Sequence, residues 1–138
     1  MISNFAIDTK IAVYALSDGP KCDIALLMLE AGPSISVQLL NEFANVSLRK
    51  RQLPWEEIDE LLAIINNLAA NVRPINVELH RSGLEIAKRY KLSIYDSLII
   101  AAALLDDCQT LYTEDMQHGL VIDGRLTITN PFLDLTPQ

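Results

Sequence analysis

Residues 4–16 read Asn-Phe-Ala-Ile-Asp-Thr-Lys-Ile-Ala-Val-Tyr-Ala-Leu, and this stretch decides the fold. The apolar run over 4–7 predicts a short strand that is buried on both faces, and the apolar spacing over 11–16 predicts a helix. Asp8 stands between them, at the carboxyl end of the strand. A strand that leads directly into a helix is typical of the crossover unit that joins parallel strands.

The same alternation continues along the chain. Further strands are predicted over 34–37, 109–112 and 126–129, and further helices over 22–31, 38–51, 54–70, 77–90 and 95–105. Strands separated by helices predict an α/β fold, with a parallel central sheet of about four to five strands flanked by helices on both faces. In such a sheet ligands bind at the carboxyl ends of the strands. No repeat or linker-like segment interrupts the pattern, so we expect one domain over residues 1–138.

Composition narrows the class of protein. Half of the 138 residues are apolar and 21% are charged, which fits a globular domain and weighs against a disordered chain. The formal net charge of -7 taken alone weighs against nucleic acid as a partner, because a polyanion must be held by cationic side chains. The longest apolar run, over 98–105, is far shorter than the roughly 20 residues of a bilayer span. No signal-like segment opens the chain, and Cys22 and Cys108 cannot build a disulfide framework. We therefore expect a cytoplasmic protein that does not associate with membranes.

Four acidic residues occupy positions where apolar neighbours predict burial: Asp8, Glu42, Asp96 and Asp115. Asp8 and Asp115 follow predicted strands, Asp96 opens a predicted helix, and Glu42 borders the apolar stripe of its helix. Burying an unpaired carboxylate costs several kcal/mol, so something must compensate each charge.

Each acid also has an ordinary structural explanation. Asp8 is in position to cap the following helix, and Ser93 with Asp96 forms the pattern of a capping box. The carboxylate of Glu42 could extend to solvent, and Asp115 could be a turn residue. Spacing alone does not decide whether Glu114 or Asp115 faces the other acids.

The joint pattern favours function, because three of the four acids follow or face the carboxyl end of a strand, where these ends converge. Four carboxylates in one pocket cannot all stay ionised without a hard cation, and oxygen ligands select Mg²⁺ or Mn²⁺ over zinc. Such an ion binds a phosphate oxygen and activates a coordinated water. The sequence therefore predicts hydrolysis of phosphodiester bonds.

Four segments carry a resemblance to a known family: Phe5–Thr9, Val37–Phe43, Leu92–Ala101 and Leu111–Gly119. They resemble the PIN-domain ribonucleases, in particular the VapC-type toxins of bacterial toxin–antitoxin pairs, over nearly the whole chain. The resemblance implies a PIN-like three-layer fold and a Mg²⁺- or Mn²⁺-dependent endoribonuclease. It also implies that Asp8, Glu42, Asp96 and Asp115 are the catalytic, metal-binding acids, and that the protein forms a homodimer and binds a cognate antitoxin.

Lys10 departs from the family pattern, which usually has Asn at this position. A cation beside the acids could hold Asp8 or a substrate phosphate, or compete with the metal. The alternative function is therefore a catalytically weak PIN-like protein-interaction module in which Lys10 neutralises the acidic pocket. The same lysine removes the D-x-D pattern of phosphatases that use an aspartate nucleophile.

Other residues near the acids are candidates for supporting contacts. Thr9 and Thr113 could supply hydroxyl groups, and His118 could orient a phosphate, although ordinary structural roles explain all three. Aromatic residues make up only 6% of the chain, too few for a platform that stacks several bases. We therefore expect recognition through the shape and backbone of the RNA. The basic clusters at 49–51 and 88–91 lie near predicted helix C-termini, where they compensate the helix dipole, and they could also flank a groove for the RNA.

Overall fold

A computed structural model describes residues 4–135 and contains a six-stranded sheet with helices on both faces. The strands are β1 (Phe5–Ile7), β2 (Ser34–Ser36), β3 (Asn71–Arg73), β4 (Thr110–Tyr112), β5 (Val121–Ile122) and β6 (Leu126–Thr129). The helices are α1 (Thr9–Ala15), α2 (Cys22–Glu30), α3 (Val37–Arg49), α4 (Trp55–Leu68), α5 (Val77–Tyr90) and α6 (Ile94–Leu105). A single 3₁₀ turn over Leu133–Leu135 follows β6. The first and last three residues of the expected domain lie outside this description.

The sheet confirms the predicted α/β class and is mostly parallel. Its order is β3-β2-β1-β4-β6-β5, and β5 alone pairs antiparallel, with β6. It has six strands where the sequence predicted four to five. The two extra strands lie at the edges, where β3 offers one apolar residue between Asn71 and Arg73 and β5 is only two residues long. Neither carries the apolar run that reveals a central strand.

Side chains alternate between the two faces of β1 and β4, which gives the three layers. Ala6 and Leu111 pack in a cluster with Ile100 and Ile128 beneath α6. Ile7 packs on the opposite face with residues of α1 to α4, among them the fully buried side chains of Ile11, Leu29, Phe43 and Ile65. Both central strands are therefore covered on each side, as their sequence predicted. Among residues 4–135 no helix combines the length and apolarity that a membrane span requires.

Four of the helices that surround the sheet start at side-chain caps, and in α5 the cap is Asn76, which accepts the Leu79 N–H. Asp8 accepts a hydrogen bond from the backbone N–H of Thr9, Ser36 caps α3, and Ser93 caps α6. Because Asp8 caps at Thr9, α1 begins two residues before the predicted start of its apolar spacing. The capping explanation for Asp8 is thus confirmed, and Ser93 caps α6 through the Asp96 N–H, which is one of the two bonds of a capping box.

Close packing of α5 on α6 sets the position of Asp96. Gly83 lies against Leu98, and a Cβ at position 83 would come within 2.7 Å of a Leu98 methyl carbon. Glycine therefore lets the two helices approach without displacing the Leu98 side chain, which a larger residue at position 83 would have to move. α6 is otherwise buried from Ile99 to Leu104, so the start of the helix is held firmly beside the sheet.

Candidate active site

A cavity of about 300 Å³ lies at the carboxyl ends of β1 and β4. We call it the acidic cavity, and it is lined by Asp8, Thr9, Lys10, Val13, Tyr14, Glu42, Val46, Lys50, Tyr95, Asp96, Ile99 and Asp115. The structure thus brings all four predicted acids to one space, although they come from four separate parts of the chain. The space sits at the sheet edge where ligands of parallel α/β folds bind.

Asp8 is the buried member of the set, with only 6% of its surface exposed. Its Oδ1 accepts the Thr9 backbone N–H at 2.6 Å and its Oδ2 accepts the Thr113 hydroxyl at 2.8 Å. Burial raises the pKa of Asp8, the two hydrogen bonds oppose this rise, and the charges of Asp115 and Asp96 add to it. The fold therefore orients this carboxylate tightly while leaving its charge only partly compensated.

Glu42 reaches the cavity from α3 and is half-buried. Its Oε1 accepts the Thr9 hydroxyl at 3.3 Å. Burial raises its pKa, the neighbouring charge of Asp8 adds to the rise, and the hydrogen bond from Thr9 opposes it. Glu42 and Asp8 thus repel each other across the cavity.

Asp96 serves in two ways at once. Its backbone N–H donates to the Ser93 hydroxyl at 3.1 Å, which completes the cap of α6, and its side chain lines the acidic cavity. The capping pattern in the sequence therefore does not compete with a functional role, because the cap uses the backbone and leaves the carboxylate available.

Asp115 differs from the expectation of burial, which is wrong for this residue. Its side chain is 43% exposed, and its Oδ1 accepts the Lys10 ammonium at 3.0 Å. The same contact raises the pKa of Lys10. The backbone N–H of Asp115 donates to the Thr113 hydroxyl at 3.2 Å, which links this residue to the group that holds Asp8. The ion pair with Lys10 therefore compensates the charge of this exposed carboxylate.

Glu114, the alternative to Asp115, turns away from the acidic cavity. It accepts the Lys21 ammonium at 2.6 Å and the hydroxyl of Tyr14. Burial raises its pKa, but the hydrogen bonds from Lys21 and Tyr14 outweigh this effect and lower it. Lys21 also lies 4.8 Å from the centre of the Tyr14 ring and 5.3 Å from that of Phe132. This arrangement anchors the segment that carries Thr113 and Asp115.

The supporting residues divide between the cavity and its surroundings. Thr9 and Thr113 hydrogen-bond to the acids, as the sequence suggested. His118 does not line the acidic cavity; it is exposed, and its Nδ1 accepts the Asn130 backbone N–H at 3.0 Å. Sequence reasoning missed Tyr95 as a cavity residue and noted Lys50 only as part of a basic cluster. The only signal for Tyr95 was its position beside Asp96.

The carboxylate oxygens of the acidic cavity are the ligands that a hard cation prefers. Such a cation would also reduce the repulsion between their charges. Among residues 4–135, no group of three or more Asp, Glu, His or Cys side chains is arranged to hold a metal ion. Asp8 uses both oxygens in hydrogen bonds, and Asp115 is engaged by Lys10. Each Asp8 oxygen accepts one hydrogen bond and keeps a lone pair that a metal ion could use, whereas Asp115 would have to exchange Lys10 for the ion.

Comparisons with known proteins identify the family. No curated protein matches the chain in sequence. A toxin–antitoxin complex from Klebsiella pneumoniae contains a chain of similar structure, with a TM-score of 0.67, 23% identity and coverage of 94% of this chain and 98% of that one. The crystal structure of VapBC2 from Rickettsia felis bound to a DNA fragment from their promoter gives a TM-score of 0.65, 21% identity and coverage of 91% and 97%.

At these identities the two structures establish the fold alone. The model of the PIN domain family, however, matches residues 5–119, which is most of the sequence and includes all four acids. The chain belongs to the PIN-domain family.

Proposed function

We propose that the protein is a metal-dependent endoribonuclease and the toxin of a toxin–antitoxin pair. The observation that carries the proposal is the meeting of Asp8, Glu42, Asp96 and Asp115 at one cavity in a PIN-family fold. Their separation along the chain makes this meeting a property of the fold. Surface acids placed for solubility have no reason to converge where parallel strands end.

Asp8, Glu42 and Asp96 would hold Mg²⁺ or Mn²⁺, with Asp115 joining them when Lys10 releases it. When bound, the ion would polarise a phosphodiester oxygen and lower the pKa of a water molecule. Thr113 and Thr9 keep the Asp8 carboxylate in one orientation before any ligand arrives. Lys10, freed from Asp115, is placed to contact a phosphate at the mouth of the cavity.

The toxin assignment has support of a different kind. Of the similar structures named above, one is a toxin–antitoxin complex and the other is VapBC2 bound to a DNA fragment from their promoter. The net charge of -7 suits a basic segment of an antitoxin as partner. We propose on this basis that the chain is a single domain over residues 1–138, works in the cytoplasm as a homodimer, and is held inactive by a cognate antitoxin.

The direct test is cleavage of RNA by the purified protein with Mn²⁺, compared with the same reaction in a chelator. Asp8→Asn and Asp96→Asn should abolish cleavage, while Asp59→Asn, a change of the same kind on the exposed face of α4, should leave the rate unchanged. Sequencing of the RNA ends would then define the cleavage position. Cleavage that survives in both cavity variants, or that proceeds equally in the chelator, would contradict the proposal.

A second candidate is a binding module without catalysis, and one contact favours it. Lys10 already neutralises Asp115 at 3.0 Å, as a pocket that never receives a metal would require. In that case Mn²⁺ should not raise the melting temperature of the wild-type protein, and no RNA should be cut. A rise in melting temperature with Mn²⁺ that Asp96→Asn removes would exclude this candidate, because ligands stabilise the state that binds them.

A further inference from the structure

Tyr95 is the exposed large apolar residue of the acidic cavity. Its side chain is 62% exposed and stands immediately before Asp96 on the first turn of α6. Within residues 4–135 its hydroxyl makes no hydrogen bond and its ring pairs with no other aromatic ring. Packing and hydrogen bonding therefore do not explain an aromatic side chain at this position.

The surroundings of Tyr95 combine three kinds of surface in one space. Val13, Val46 and Ile99 form an aliphatic wall, and the carboxylates lie beside it. Lys50 stands at the edge, exposed and without an ion pair among the described residues. An occupant that matches all three has a flat apolar part and a negatively charged part, with room for a cation between them and the acids.

We propose that Tyr95 stacks on a nucleobase of single-stranded RNA next to the bond that is cut, while Lys50 contacts a backbone phosphate. This proposal rests on the nuclease function and assigns to Tyr95 and Lys50 the contacts that position the RNA. Bases in a duplex remain stacked on each other, whereas an unpaired base can turn out onto an aromatic ring. Stacking on one ring tolerates every base, because each has a flat face.

One ring at the cavity also fits the low aromatic content of the chain. A platform for several bases needs several aromatics, which this sequence lacks, but a single base beside the reacting phosphate needs only one. The sequence predicts recognition through the shape and backbone of the RNA, and contact with one base is added to it here. The backbone supplies most contacts, and one unpaired base sets the register.

The test measures binding of a fluorescent single-stranded oligoribonucleotide, in the presence of Mg²⁺, to protein carrying Asp8→Asn so that the probe stays intact. Adding Tyr95→Ala should weaken binding about tenfold, since a stacked base contributes on the order of 1–3 kcal/mol. Tyr95→Phe should bind within about twofold of the Asp8→Asn protein, because stacking needs the ring and not the hydroxyl. Trp55→Ala is the matched control, since Trp55 is 60% exposed and does not line the cavity.

A second arm separates stacking from a structural effect. An abasic nucleotide is placed at each position of the probe in turn. At one position the abasic probe should lose the same factor as Tyr95→Ala, and combining the two changes should cost no more than either alone. A duplex of the same sequence should bind weakly to all variants.

Three results would overturn the proposal: equal binding by the Tyr95→Ala protein, additive losses at every abasic position, or equal affinity for the duplex. The nuclease function fails separately, when wild-type protein with Mn²⁺ cuts no RNA or when Asp8→Asn protein cuts it as fast as the wild type. If Tyr95→Ala in the otherwise wild-type enzyme leaves the KM for RNA unchanged, the stacking proposal is also overturned, while the nuclease function stands.

Discussion

Asp8 is 6% exposed and accepts a hydrogen bond at each carboxylate oxygen. The side chain of Asp115 is 43% exposed and forms an ion pair with Lys10. Both follow neighbouring parallel strands, β1 and β4, and both line the acidic cavity. Burial fixes the first carboxylate at a cost in stability, and solvent leaves the second free to change partners. The cavity thus has a permanent end and an exchangeable end.

The largest expected difference between the two ends is in catalysis. Asp8→Asn should reduce RNA cleavage about 100-fold or more, since even indirect changes around a metal ligand cost ~10–100-fold. Asp115→Asn should reduce it roughly tenfold, in the lower part of that range, because this carboxylate is exposed and already shared with Lys10. Rates are measured with saturating Mn²⁺ on one RNA. Equal losses in the two variants would remove the distinction between the ends.

Thr113→Val breaks the permanent end without touching an acid. The Thr113 side chain is fully buried, and its loss leaves Asp8 Oδ2 without its donor and the Asp115 N–H without its acceptor. The free energy of unfolding should fall by about 1–3 kcal/mol, measured by urea denaturation at neutral pH. Thr110→Val, at the half-buried start of β4, which Thr113 directly follows, is the control and should change it little. A loss common to both variants would point to the strand and away from Asp8.

Burying the charged Asp8 carboxylate destabilises the fold, so replacing it should raise stability, whereas Thr113→Val should lower it. Without metal, Asp8→Asn should raise the melting temperature by about 3 °C, which corresponds to roughly 1 kcal/mol in a domain of this size. The raised pKa of Asp8 means that the wild-type chain loses stability as the pH rises through that pKa. The advantage of the variant should therefore shrink on acidification, when wild-type Asp8 takes up its proton. A gain that does not depend on pH would contradict this origin.

The smallest effect concerns the exchangeable end. Lys10→Asn should strengthen Mn²⁺ binding about fivefold, because one positive charge near the ion is removed at a water-exposed position. Stability without metal should change by less than ~1 kcal/mol, as for exposed ion pairs. Calorimetric titration with Mn²⁺ measures the first, and Lys88→Asn on the exposed face of α5 is the control. Unchanged affinity would mean that Lys10 does not compete with the ion.

The sequence predicted the central strands and all six helices because burial on both faces and helical spacing produce recognisable patterns of apolar residues within each segment. It missed β3 and β5, whose pairing depends on neighbours in space. Three of the acids could be expected to meet because they follow a strand or open a helix, and Glu42 because it borders the apolar stripe of its helix. The exposure of Asp115 could not, since its partner Lys10 lies 105 residues away. The Tyr14–Lys21–Glu114 contacts depend likewise on side-chain directions that spacing does not contain.

The bond between Thr113 and Asp8 joins two residues that are 105 positions apart. On the ribosome, Asp8 emerges early and remains hydrated until β4 has been translated and can pair with β1. Asp115 follows Thr113 by two residues, so the last acid arrives with the strand that completes the pocket. The acidic cavity therefore cannot assemble during synthesis before residue 115 has left the ribosome.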